Sequence, residues 1–125
     1  MQTFSFDKNL WNDCVRQQKE LCDKLKVDWR ETDPAKLIGV SDNIHLIPLH
    51  GLRHPIENNS AGWYIWTQEY SNDDKFFKPL HAAHLVEIKP EILKYFGLPP
   101  GYRFLIGNSG YEDIWYDETL LNISK

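Results

Sequence analysis

Positive charge, cysteine and long apolar runs are all scarce in this sequence. Its 125 residues carry 14 lysines and arginines against 18 aspartates and glutamates, a net charge of −4 with the five histidines neutral. A protein that follows a phosphate backbone or an anionic lipid surface needs the opposite balance, so neither nucleic acid nor membrane is expected as a partner. No stretch approaches the roughly 18 apolar residues of a membrane-spanning helix. Met1 to Phe6 lack the basic and apolar regions of a secretory leader, and the expectation is a cytoplasmic protein. The two cysteines, Cys14 and Cys22, fall on one predicted helix. Their Cα atoms would stand roughly 12 Å apart, beyond disulfide reach, so both are expected as free thiols. Glycine-rich phosphate loops and the nucleophile elbow of serine hydrolases are missing as well. No catalytic residue, cofactor or metal site is expected, and the protein is read as a non-enzyme.

What is present is apolar and aromatic bulk, 42% and 14% of the residues. That composition excludes a disordered chain and suffices for one domain, residues 1–125, with a core needing neither disulfide nor metal. From Asp7 to Trp29, Leu10, Cys14, Leu21 and Leu25, flanked by Trp11, Val15 and Cys22, recur at helical spacing. They predict an amphipathic helix of about five turns capped by Asp7. Asp33-Pro34 predicts a one-turn helix ending at Gly39. The alternation from Ile44 to Arg53 suggests a strand, confined by Pro48 to an edge or a bulge. Gly62 to Thr67 is a strand with Trp63 and Ile65 on one face and Tyr64 and Trp66 on the other. Glu69 to Lys75 is a loop, and Pro79 to Glu87 fits helix or strand. Pro90 to Phe96 is a short helix with Gly97 at its C′ position. The segments flanking Asn108-Ser109-Gly110 form a β-hairpin. The fold class is α+β: a small antiparallel sheet covered on one face by the long N-terminal helix and the short second helix.

Three kinds of side chain remain as carriers of function. His45, His50 and His54 lie within ten residues, and His81 and His84 are three apart, but no recognised zinc spacing links them. A small histidine-using, metal-dependent hydrolase is therefore the alternative reading rather than the first. Carboxylates cluster twice, at Glu69, Asp73 and Asp74 and again at Glu112, Asp113 and Asp117. Beside aromatics such as Trp66 and Tyr70, they read as a docking surface for a basic protein, with charge selecting the partner and the rings anchoring it. An aromatic-lined module for sugars or other ligands, built on Trp63 to Tyr70, is a further alternative.

Gly62-Trp63, the acidic loop from Glu69 to Asp74, Pro90-x-x-Leu93 and Leu98-Pro99-Pro100-Gly101-x-x-Phe104 occur in an order that resembles the immunity protein thirty-three-like domains of bacteria. The likeness covers roughly residues 60 to 120. It implies a small cytosolic protein that binds and neutralises a cognate protein toxin, and it carries over no catalytic residues. The candidate interface, Trp66, Glu69, Tyr70, Asp73, Asp74, Glu112, Asp113 and Asp117, rests on the residues themselves.

Overall fold

The computed structural model describes residues 5–122. Residues 1–4 and 123–125, and with them most of the N-terminal stretch read for a leader, lie outside the described residues. Helix α1 spans Lys8–Leu25 and begins where the Asp7 carboxylate accepts the Leu10 N–H at 3.0 Å. It stops four residues short of Trp29. Lys26 takes a left-handed conformation (φ 61°), and the Val27 N–H turns back to the Cys22 carbonyl at 3.0 Å, closing the helix end. The buried stripe is Trp11, Cys14, Gln18 and Cys22, whereas Leu10 and Leu25 lie exposed at its margins. A glutamine is tolerated mid-stripe because both ends of its amide are satisfied. Nε2 donates to the Leu93 carbonyl at 2.9 Å and Oε1 accepts from Trp29 Nε1 at 3.1 Å. Both cysteines are free and buried, and burial pushes their thiols up, away from the reactive thiolate.

Six strands form one sheet: β1 (Leu37–Val40), β2 (Leu49–Arg53), β3 (Ser60–Thr67), β4 (Lys78–His81), β5 (Tyr102–Ile106) and β6 (Glu112–Tyr116). Their spatial order is β4-β1-β3-β2-β5-β6. The sheet is thus larger than the small antiparallel one expected, and it is mixed, because β1 runs parallel to β3 while its other pairings are antiparallel. The cause is a skipped position: after β1 the chain reverses into β2 one place away, and the β2–β3 hairpin then fills the gap with β3. Asp33-Pro34 starts a turn, not a helix. The Asp33 carboxylate accepts the Ala35 N–H at 2.9 Å, and the chain leaves directly into β1, where Gly39 is a strand residue instead of a helix stop. Pro48 immediately precedes β2 and so costs no ladder bond, which lets β2 lie in the middle of the sheet and not at an edge. Pro79 to Glu87 is both readings in turn: β4, a 3₁₀ turn at Ala82–His84, and the single-turn helix α2 (Leu85–Ile88).

One face of the sheet carries the core. Trp63 and Ile65 of β3, Leu49 of β2 and Phe104 of β5 meet α1, α2 and the Pro90–Tyr95 segment, a 3₁₀ helix. Trp63 stacks on Phe96 at 4.6 Å between ring centroids, and Tyr95 stacks on Phe104 at 4.2 Å. Gly97 has no positive φ of the kind a C′ glycine adopts. It is glycine because a Cβ there would enter the ring of Trp29.

Arg53 lies wholly inside this core. Its Nε donates to the Ala61 carbonyl at 3.0 Å, Nη1 to Arg30 and Leu98 at 2.9 and 2.8 Å, and Nη2 to Glu31 at 2.8 Å. The guanidinium also sits 5.4 Å from the Trp63 ring. Its own carbonyl accepts from Gly101 at 2.7 Å, so the Gly62-Trp63 and Leu98 to Gly101 segments converge on this one side chain.

Candidate protein-binding face

Alternation along β2, β3, β5 and β6 delivers a second set of side chains to the face away from α1. Cross-strand partners share a face, and the register places Trp66, His50, Leu105 and Asp113 in one row and Tyr64, Leu52, Arg103 and Trp115 in the next. At the β1 side Gly39 stands opposite Tyr64, and a Cβ there would overlap the Tyr64 ring, so glycine lets that ring lie across the strand. α1, α2 and the Pro90–Tyr95 segment all contribute to the opposite, core face. The outer face is bordered instead by the loop 68–77 and by a short 3₁₀ turn, Glu118–Leu121, whose Leu120 carbonyl lies 2.9 Å from His54 Nδ1.

Aromatic rings concentrate where that loop folds back. Trp66 meets Tyr70 at 5.6 Å and Phe77 at 6.0 Å, and Tyr64 meets Phe77 at 5.1 Å, each pair at interplanar angles of 70° to 78°. His50 stacks flat on Trp66 at 4.9 Å, and burial holds its imidazole below the usual histidine range. Trp66 is 5% exposed and Tyr70 58%, so the first is a floor and the second projects. Between them opens a cleft of about 390 Å³.

The eight candidate residues do not form a single patch. Trp66 and Tyr70 are together, and Glu69, Asp73 and Asp74 are exposed on the same loop. Asp73 has a local task as well: its carboxylate accepts the Lys75 N–H at 2.8 Å and its carbonyl the Phe76 N–H at 2.9 Å, which turns the chain back into Phe76-Phe77. Asp113 ends the Trp66 row on β6, three strand spacings or about 14 Å away. Asp117 is tied to Arg103 at 2.9 Å, and the Thr119 hydroxyl and Arg103 hold its carboxyl below the usual range. Glu112 pairs with Ile106 and so points to the core face, where it accepts from the Tyr95 hydroxyl and meets Lys94 at 3.3 Å. Trp63 is also a core residue, out of reach of any ligand. Leu52, Glu57 and Phe77, which are absent from the candidate residues, line the cleft, as does His54, which the sequence offers only as one of a cluster of histidines. The even spacing of His50, Leu52 and His54 is the available signal, but Pro48 argues for an edge or a bulge and so hides that these residues lie mid-sheet.

Glu112 carries a pH prediction. The Tyr95 hydroxyl, and after it Lys94, lower its pKa from the ordinary 4.5. A carboxylate with a depressed folded pKa contributes stability above its unfolded pKa and loses it as pH falls through the folded one. Because the side chain is 38% exposed, the contribution is discounted to about 0.5 kcal/mol. Glu112→Gln is expected to lower the urea midpoint at neutral pH, and the difference from wild type should close as the pH falls through the lowered pKa of Glu112. A difference that persists in acid would show that the shape of Glu112, and not its charge, matters.

Of the five histidines, His81 and His84 face each other at 5.6 Å between centroids. Among the described residues no group of three or more His, Cys, Asp or Glu gathers as a metal ion would require, and no helix is long and apolar enough to cross a membrane.

Residues 17–117 match the family model described as the Imm33-like domain. The chain belongs to the Imm33-like domain family. The match begins well before the Gly62-Trp63 motif and takes in α1 from Gln17, β1 and β2 with Arg53, none of which the residue-level likeness reached. The name marks an immunity-protein family. No curated protein and no solved structure matches the chain.

Proposed function

We propose that this chain is a non-enzymatic immunity protein of the bacterial cytoplasm that neutralises a cognate protein toxin by binding it stoichiometrically. Family membership supplies the class. The observation that carries the binding site is the sheet face left without a helix, where an aromatic cluster meets an exposed acidic loop. Interfaces are anchored by aromatic residues set in a polar rim, and opposite charge speeds and selects the encounter. Tyr70, with Trp66 beneath it, is the anchor; Glu69, Asp73 and Asp74 form the rim, and Asp113 extends it across the sheet. Glu112 and Asp117, held by neighbours in the chain, contribute through the shape of the hairpin end.

The test is toxin neutralisation. A tagged chain is used to capture its partner, and the captured protein is then expressed alone and together with the chain. Rescue of growth by co-expression is the expected result. Tyr70→Ala should weaken the complex roughly thirtyfold, as loss of an aromatic anchor does. Glu69→Lys with Asp74→Lys should slow association and do so most at low salt. These positions are exposed, so the unfolding midpoint should not move. Unchanged affinity in both variants would remove this face from the interface.

A further inference from the structure

The geometry points to the cleft beside Tyr70 as the receptor for one arginine side chain of the partner protein, an inference that rests on the protein-binding reading of this face. Four rings, Tyr64, Trp66, Tyr70 and Phe77, line it, and their planes stand steeply to one another, so they wall it in more than one orientation. Aromatic faces carry negative potential and attract cations, arginine above all, because its planar guanidinium both stacks and donates along its edge. Glu57 and Ser60 line the same cleft; the Glu57 carbonyl takes Lys36 Nζ at 3.1 Å and Ser60 Oγ accepts the Gly62 N–H at 3.1 Å, which leaves the exposed Glu57 carboxylate as the acceptor for that edge. No lysine or arginine is among the lining residues, and Glu69, Asp73 and Asp74 lie on the loop that carries Tyr70. An apolar guest would gain the rings but nothing from the charge of Glu57. A lysine would fill the space less well, since a point charge cannot stack on two walls of a cleft of about 390 Å³.

The experiment titrates the full chain with acetyl-Gly-Arg-Gly-amide, and separately with the neutral acetyl-Gly-norleucine-Gly-amide, at low salt. Proton–nitrogen correlation spectra report the Trp66 indole and the amides of Tyr64, Tyr70 and Phe77. The arginine peptide is expected to shift these signals in a saturable way and to bind roughly tenfold more tightly than norleucine. Tyr70→Leu and Glu57→Gln, both at exposed positions, should each weaken it severalfold. Equal affinity for the two peptides, shifts that map elsewhere, or no shift would overturn the inference. The two readings also fail separately. If the double variant Glu57→Gln, Tyr70→Leu binds and neutralises the toxin as wild type does, the arginine receptor falls and immunity stands. If the arginine peptide docks as expected but the chain protects cells from no captured partner, immunity falls and the cation-binding cleft stands.

Discussion

Arg53→Ala is expected to destabilise the protein by about 4 kcal/mol, lowering the urea midpoint by about 2 M, a large share of the 5–15 kcal/mol typical of such domains. The guanidinium supplies four N–H groups to four main-chain carbonyls. Hydrogen bonds from a charged donor contribute about 1.5–3 kcal/mol each, and a buried carbonyl left without a donor costs about 1–3 kcal/mol. Arg30 and Glu31 are exposed, so their carbonyls can turn to water and these costs do not add in full. Arg53→Lys is the sharper comparison: one ammonium cannot span carbonyls contributed by β3 and by the segments around Arg30 and Leu98, and a loss of about 2 kcal/mol is expected. Burial, and then Arg30, lower the Arg53 pKa to about 10. The group therefore stays charged through the acid and neutral range, and the destabilisation should not depend on pH there. A midpoint shift as small as that of an ordinary surface substitution would show that the carbonyls find other donors.

Gly62→Ala is expected to cost about 3 kcal/mol, for two reasons that can be separated. Gly62 has φ +92°, a conformation that L side chains rarely adopt. A Cβ there would also overlap the backbone carbonyl oxygen of His54, on the chain leaving β2, next to the point where the His54 N–H donates to the Gly62 carbonyl at 2.8 Å. Backbone in a paired sheet cannot step aside as a long side chain can. Gly110 provides the control: its φ is +78°, but nothing lies within 4 Å of a built Cβ. Gly110→Ala should cost only about 1 kcal/mol, the conformational part alone. Thermal unfolding of both variants measures the difference, and equal losses would show that the His54 carbonyl yields.

These two positions explain how far the sequence could be read. Gly62-Trp63 and Leu98-Pro99-Pro100-Gly101 stand out as motifs, but their common purpose is to surround Arg53. That arginine sits 8 residues from its first acceptor, Ala61, and 45 from Leu98, and no local pattern connects them. Arginine is rarely wholly buried, so its residue type gives no hint of this place. Gln18 misleads in the same way, a polar residue on a buried stripe whose partners, Leu93 and Trp29, come from other elements. The acidic clusters were legible as charge, but strand parity splits them: Glu112 and Asp113 are adjacent in sequence and point to opposite faces of the sheet.

The sequence by itself determined the α+β class, the N-terminal helix and its Asp7 cap, the β3 strand with Trp63 and Tyr64 on opposite faces, the final hairpin and the free thiols. Each follows from periodicity or capping within a few residues, where local sterics and hydrogen bonding decide. Only the tertiary structure decided that β3 lies between β1 and β2, that Pro48 leads into a central strand, and that Tyr64, Trp66, Tyr70 and Phe77 enclose one cleft. Strand order and ring packing are set by which distant surfaces bury each other best, and one position along the chain holds no record of its partner across the sheet.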